Sequence, residues 1–161
     1  MPESPAENMV KRSEEAASRF VGSWSLLSWT LTSPDGQIEF PYGEDALGSI
    51  IYTGDGRMAA HLMRRGRKLF ASENRRDSTL EERSAAFLDY FSYCGLYTVQ
   101  EDAQMVTHHV ETCSLPNWVG TDRVRAFHFS GDSLTLYATL VDGSKHTLVW
   151  KRQFLLRQRH P

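Results

Sequence analysis

From Trp24 onward the chain is built of short runs in which apolar and polar residues alternate, broken about every ten residues by turns. Those turns are Ser33-Pro34-Asp35-Gly36, Gly54-Asp55-Gly56, Glu101-Asp102-Ala103, Gly131-Asp132 and Val141-Asp142-Gly143-Ser144, where Gly and Asp supply positive φ or local caps. The pattern predicts strands at about 22–32, 37–41, 48–53, 57–63, 94–101, 104–113, 122–130 paired with 133–140, and 145–154, joined as an antiparallel meander. The 37–41 piece is the weakest of them. One segment departs from this period. Thr79-Leu80-Glu81-Glu82 has the form of a capping box, and Leu80, Phe87, Tyr90 and Phe91 recur near helical spacing up to Gly95, which predicts a single helix at about 79–93. Residues 1–19 are polar and charged and read as a leader, able to form one or two helical turns at Ser13-Glu14-Glu15-Ala16-Ala17 before Phe20 meets the core; the domain proper spans about 20–157.

About eight antiparallel strands with one helix in so short a chain call for a closed sheet, because closure removes unprotected edges. The expected fold is an all-β antiparallel barrel of about eight strands. A barrel of that size is either filled by side chains or holds one small ligand. An α+β cone with a deep pocket is the competing architecture, and it needs more N-terminal helix than residues 7–20 suggest.

Composition narrows the function classes. The chain has 161 residues, and eighteen Lys and Arg against twenty Asp and Glu leave a net charge of −2, which gives no reason to expect nucleic acid or an anionic membrane as partner. The run Arg64-Arg65-Gly66-Arg67-Lys68 is basic, but with only Phe70 interleaved and acids close by it reads as a solvated loop. No stretch approaches the roughly 18 apolar residues of a membrane span, and the first residues lack the basic start and apolar stretch of a signal peptide. A cytoplasmic protein is expected, monomeric or homodimeric. Two cysteines, Cys94 and Cys113, provide neither a disulfide framework nor a four-cysteine zinc site.

Period-two facing then sorts the side chains. A turn at Asp102-Ala103 sets Val99 opposite Val106, Tyr97 opposite His108 and Gly95 opposite Val110 on the more apolar face, taken as interior. Leu96 with His109, Thr98 with Thr107 and Cys94 with Glu111 fall on the other face. On this register Cys94 and Cys113 are offset and do not bridge. The turn at Gly131-Asp132 sets Phe129 opposite Leu134, Phe127 opposite Leu136 and Arg125 opposite Ala138, which carries Arg125 inward. A cation in an apolar interior requires a partner. That partner is an internal acid, water at the barrel mouth, or a ligand carboxylate, enolate or carbonyl. Tyr97 and His108 are a core polar pair or a hydrogen-bonding and acid–base pair acting on a ligand.

Arg125, His108 and Tyr97 are therefore the candidate catalytic residues. Trp118, Asn117, Phe127, Phe129, Leu136, Tyr52, His61 and His109 form the candidate ligand-contacting set, with Trp118 either a lid at the mouth or a loop anchor. His108 and His109, being adjacent on a strand, point to opposite faces and cannot chelate one ion. A metal site of His61, His109 and Glu111 and haem ligation by one histidine remain minor alternatives, and no metal or cofactor is expected. No nucleophile elbow, phosphate loop or dinucleotide fingerprint is present.

The first strand opens Gly22-Ser23-Trp24, and the last offers Arg152 in Trp150-Lys151-Arg152. With Phe40-Pro41-Tyr42-Gly43-Glu44-Asp45, Ile51-Tyr52-Thr53-Gly54-Asp55-Gly56-Arg57-Met58, Tyr93-Cys94-Gly95-Leu96-Tyr97, His108-His109-Val110-Glu111 and Pro116-Asn117-Trp118-Val119-Gly120-Thr121-Asp122, in that order, the chain resembles the small lipocalin-like domain family of bacteria and fungi. The likeness runs from about residue 20 to 154. It implies a calycin-type barrel with an apolar ligand pocket, in which the Trp24 indole closes one end under Arg152. It also implies a small hydrophobic molecule as partner. Relatives in secondary-metabolite clusters suggest a cofactor-independent isomerase or cyclase acting on a polyketide- or terpenoid-like intermediate, with a non-catalytic carrier or sensor as the alternative.

Overall fold

The computed structural model describes residues 5–154. Helix α1 (Pro5–Phe20) leads into β1 (Gly22–Thr32), followed by β2 (Ile38–Glu39), β3 (Leu47–Tyr52), β4 (Arg57–Met63), α2 (Leu80–Leu88), β5 (Tyr90–Gln100), β6 (Met105–Cys113), β7 (Asp122–Ser130), β8 (Ser133–Thr139) and β9 (Lys145–Arg152). Every strand pairs antiparallel with its neighbour in the order β2-β1-β3-β4-β5-β6-β7-β8-β9, and β1 also pairs with β9. Eight strands thus close a barrel, and the two-residue β2 is an extra strand on β1. The expected barrel is present.

One end of the barrel is packed solid. α1 is far longer than the expected one or two turns, because Ala16 and Phe20, four residues apart on one helix face, are buried against the barrel. The Ser13 hydroxyl donates to the Val99 carbonyl (2.9 Å). Phe20 is wholly buried and meets Tyr52, Phe127 and Phe129 edge-on at centroid distances of 5.1, 4.9 and 4.9 Å. The Trp24 indole N–H donates to the Phe20 carbonyl (2.9 Å), and the Arg152 guanidinium lies 4.1 Å above the Trp24 ring while donating to the Val21 carbonyl (2.8 Å). Gly22 is needed here: its φ is +133°, and a Cβ would lie 3.0 Å from the Arg152 guanidinium.

The capping box forms at Thr79 and Glu82, but α2 ends at Leu88 instead of running to residue 93. Tyr90–Tyr93 are instead drawn into β5, where they pair with Met63–Ala60 of β4, and the ladder overrides their helical spacing. Leu80 and Phe87 are exposed on the helix. Gly95 is therefore not a helix stop. It lies at a register shift in the β5–β6 pair, and a Cβ there would lie 1.9 Å from the His109 carbonyl oxygen. The shift also corrects the expected Cys94–Glu111 pairing: Cys94 faces Thr112, and Glu111 pairs with Arg57. Both cysteines are free thiols.

Candidate functional site

The opposite end of the barrel is hollow. A cavity of about 310 Å³ lies there. Its walls come from alternate residues of the strands: Trp29 of β1, Ile50 of β3, Ala60 and Leu62 of β4, and Phe91 and Tyr93 of β5. β7 adds Arg123 and Arg125, β8 adds Leu136 and Ala138, and β9 adds His146, Leu148 and Trp150. Tyr42, from the loop between β2 and β3, and Trp118, from a short 3₁₀ turn (Pro116–Trp118) between β6 and β7, add further walls, and the exposed Thr139 and Leu140 complete the lining.

The period-two argument that points Arg125 inward applies equally to Arg123, since 123, 125, 127 and 129 share one face of β7. Phe127 and Phe129 fill the packed end; the two arginines reach the cavity. Among the described residues neither arginine forms an ion pair, so the internal acid considered for Arg125 is not what meets it. Both sit instead over the Trp118 ring, Arg123 at 4.1 Å and Arg125 at 5.8 Å from the centroid, and Arg125 donates to the Val124 carbonyl (3.0 Å). The Arg123 Nε is buried without a hydrogen-bond partner, as is the Trp150 Nε1. Trp118 is itself held edge-on by Phe91 (4.9 Å) and Tyr93 (5.6 Å).

His108 faces inward and is fully buried, beneath the cavity rather than in its lining. It stands opposite Tyr97 in the ladder, as expected, yet Tyr97 is not its partner: the Tyr97 hydroxyl donates to the Thr53 carbonyl (3.1 Å). His108 is bound instead by Tyr52 at Nε2 and Tyr93 at Nδ1, each at 2.8 Å. Burial first, then the positive charge of Arg125 and the neighbouring His109, push its pKa down to about 3. Burial raises the pKa of Tyr52 well above that of a free phenol and raises that of Tyr93 as well, with Arg125 opposing it at Tyr93. All three groups are therefore neutral near pH 7. A neutral imidazole has one N–H, so one tyrosine gives His108 its proton and the other receives one, keeping a hydroxyl proton to spare. Placing that spare proton on Tyr52, 1% exposed, would leave a buried donor unsatisfied at a cost of about 1–3 kcal/mol. The favoured chain is Tyr52 O–H to Nε2, Nδ1–H to the Tyr93 oxygen, and the Tyr93 O–H free for the cavity that Tyr93 lines.

His146 shows a second fixed tautomer. The Trp29 indole N–H, which can only donate, points at Nδ1 of His146 (3.0 Å), so the ring proton is on Nε2. Burial, then Arg125, lowers the pKa of His146 and keeps it neutral.

The remaining candidates lie elsewhere. His61 projects outward, with its Nδ1 2.6 Å from the Tyr90 hydroxyl. His109 also faces out, between Asp122 (Nδ1, 2.7 Å) and Thr98 (Nε2, 3.0 Å). Neither histidine lines the cavity, because each alternates with an inward neighbour, Leu62 and His108 respectively, and Glu111 is held by Arg57; the three do not assemble. Asn117 is exposed on the 3₁₀ turn. Of the candidates, Arg125, Trp118 and Leu136 line the cavity, while Tyr52, Tyr97 and Phe127 are buried with Phe20 at the packed end. Arg123, His146, Tyr93 and Trp29 line the cavity as well and are not among the sequence candidates. Alternation along β7 and β9 turns the first two inward, whereas the helical spacing of the segment up to residue 93 masks the strand position of Tyr93.

A model of the lipocalin-like domain matches residues 21–153, nearly the whole barrel. The chain belongs to that family. Within it, this lipocalin-like barrel is 32% identical over 106 residues, 59% of its own length and 96% of the relative's, to a 4′-hydroxy-3′-methoxypropiophenone carrier protein of Aspergillus oryzae. Among solved structures, a lipocalin-like protein from Bacteroides uniformis superposes with a TM-score of 0.42 at 14% identity, covering 84% of this chain and 98% of the other. A redesigned β-barrel gives a TM-score of 0.43 at 18% identity over 86% of this chain and 96% of its own. Among the described residues of this lipocalin-like chain, no helix is long and apolar enough to cross a membrane.

Proposed function

We propose that this barrel binds and carries a small, flat aromatic molecule bearing one or two polar oxygens. The observation that carries the reading is the lining: six aromatic rings, of Trp29, Tyr42, Phe91, Tyr93, Trp118 and Trp150, wall a cavity of about 310 Å³. That volume is at the lower end of the roughly 300–1,000 Å³ of small-molecule sites, which suits one or two rings and disfavours a polycyclic intermediate. An aryl ketone of the kind named for the Aspergillus relative has this size and shape. The setting is the cytoplasm, where Cys94 and Cys113 stay reduced.

Carriage is favoured over acid–base catalysis because His108, with a pKa of about 3 and both ring nitrogens occupied, has little basicity to offer at neutral pH. A cofactor-independent isomerase or cyclase is the second reading, and the Tyr93 hydroxyl beside Arg125 is what favours it, since that pair suits an enolate oxygen. Titration of the tryptophan fluorescence with 4′-hydroxy-3′-methoxypropiophenone is expected to quench in a saturable, one-to-one manner. Absence of saturable binding by that ketone and by smaller aryl ketones would overturn the carrier reading. Chemical change of the bound ketone, or exchange of its α-hydrogens for solvent deuterium faster than in buffer, would move the assignment to the enzyme.

A further inference from the structure

Apolar walls explain why an aromatic ring would enter the barrel; they do not explain the polar groups set into those walls. Among the described residues the lining contains no Asp, Glu, Asn or Gln. Apart from the hydroxyls of Tyr42 and Thr139, which can donate or accept, its polar side chains are donors. Arg123 and Arg125 are permanently charged, the Tyr93 hydroxyl has a proton to give, and His146 holds its ring proton on Nε2. The Arg123 Nε is buried and without a partner, although an arginine in a low-dielectric site is costly unless its charge is answered. Two acids act on this end of the barrel from outside: Asp142 influences His146 from the β8–β9 turn, and Asp89 influences Tyr42 from the end of α2, where Arg64 and Arg67 oppose it. Neither forms an ion pair with Arg123 or Arg125; Asp89 is committed to Arg64 at 2.7 Å. His108 lies near Arg125 and His109 near His108, but neither adds negative charge.

We propose that the cavity takes its ligand as an aryl oxyanion, a phenolate or a carboxylate, seated between the guanidinium groups of Arg123 and Arg125. The inference rests on the proposed binding of a flat aromatic molecule and adds the charge of the bound form. The ring stacks among the tryptophans, and its oxygen accepts from the two guanidinium groups and the Tyr93 hydroxyl. A phenol entering from neutral solution breaks its O–H bond, and the proton leaves to bulk water. Two arginines without an acid beside them discriminate between a phenolate and its neutral ether because only the former gains charge-assisted hydrogen bonds.

The test uses the full chain and chromogenic probes: 4-nitrophenol with its neutral isostere 4-nitroanisole, and 4-nitrobenzoate with its methyl ester. Bound 4-nitrophenol is expected to show the nitrophenolate absorption at least one pH unit below the point where the free compound ionises, and to bind at least tenfold more tightly than 4-nitroanisole, since one pKa unit corresponds to about a tenfold preference. In Arg123→Met and Arg125→Met the spectral shift disappears while 4-nitroanisole still binds, which also reports that the cavity is intact. Preference for nitrobenzoate over its ester without a nitrophenol shift would assign the site to carboxylates, within the proposal; the reverse would assign it to phenols. If the neutral probes bind as tightly as the charged ones and bound nitrophenol stays protonated in the wild type, the oxyanion inference is overturned and the aromatic carrier stands. If none of the four probes binds, the aromatic-binding reading fails with it.

Discussion

His108 makes the stability of this barrel depend on pH in a way that can be worked out from its surroundings. Its side chain is fully buried with a pKa of about 3, whereas in the unfolded chain a histidine titrates near 6.5. The folded pKa is depressed, so the unfolded state binds the extra proton first. Stability from this group is fully present above about pH 6.5 and is lost as the pH falls toward 3. Between pH 7 and pH 4.5 the unfolded chain gains nearly one proton at this site and the folded chain almost none, which removes about 2–3 kcal/mol. That is a large fraction of a typical domain's 5–15 kcal/mol. The perturbation is His108→Gln, which keeps a donor and an acceptor for Tyr52 and Tyr93 but cannot be protonated. Its stability at pH 7 falls, because the amide does not reproduce both 2.8 Å contacts. Its acid sensitivity falls too. Urea unfolding of both proteins at pH 7 and pH 4.5 is the assay, and subtracting one from the other cancels the carboxylates and His146. The wild type is expected to lose about 2–3 kcal/mol more than His108→Gln over this interval. Equal losses in the two proteins would refute the claim that His108 is held neutral by burial and by Arg125.

Two further substitutions test the frame around the site. Gly95→Ala drives a methyl group into the His109 carbonyl and to 2.9 Å from the Glu111 nitrogen, both backbone atoms; it should cost more than about 2 kcal/mol and lower the melting temperature by several degrees in a thermal scan, and a wild-type melting point would show that no close approach exists there. Phe20→Ala removes the ring at the centre of the packed end and should cost about 3–5 kcal/mol in urea unfolding, while leaving aryl-ketone affinity unchanged because Phe20 does not line the cavity. A loss of affinity in a folded Phe20→Ala protein would mean that the two ends are not independent.

The barrel was legible because hairpins are local: a turn at Asp102-Ala103 or Gly131-Asp132 fixes the register of everything that follows, and the pairs Val99–Val106 and Phe127–Leu136 come directly from counting. Counting fails where the backbone departs from period two. The bulge between Leu26 and Ser28 turns Trp29 inward, although parity from Trp24 would send it out, so counting alone misplaces a tryptophan of the cavity. Tyr90–Tyr93 satisfy a helical spacing and a strand equally, and only the partner β4 decides between them. The ladder also misleads about contacts. Tyr97 is opposite His108, but a tyrosine hydroxyl lies far from its Cα, so the residues that reach the imidazole come from a strand across the barrel, Tyr52, and from further along the same strand, Tyr93. α1 is hard to read in the sequence for a related reason: its helicity depends on burying Ala16 and Phe20 in a surface that the sequence does not display.

The division of labour between the two ends explains how an apolar barrel retains two unpaired cations. An internal carboxylate would satisfy Arg125, but any incoming oxyanion would then have to compete with it. Trp118 solves the problem differently, since a ring face attracts and orients a guanidinium without occupying its N–H groups. Phe91 and Tyr93 pin that ring edge-on, and β7 holds both arginines on one face, so little ordering is left to be done when a ligand arrives. The cost of keeping the charges is met at the packed end, where Phe20, Tyr52, Phe127 and Phe129 bury their rings against one another. His108 stands at the boundary between the two regions, and its neutrality serves both. A protonated imidazole there would add a third positive charge beneath Arg125 and turn Nε2 into a donor, leaving the buried Tyr52 hydroxyl proton without its acceptor.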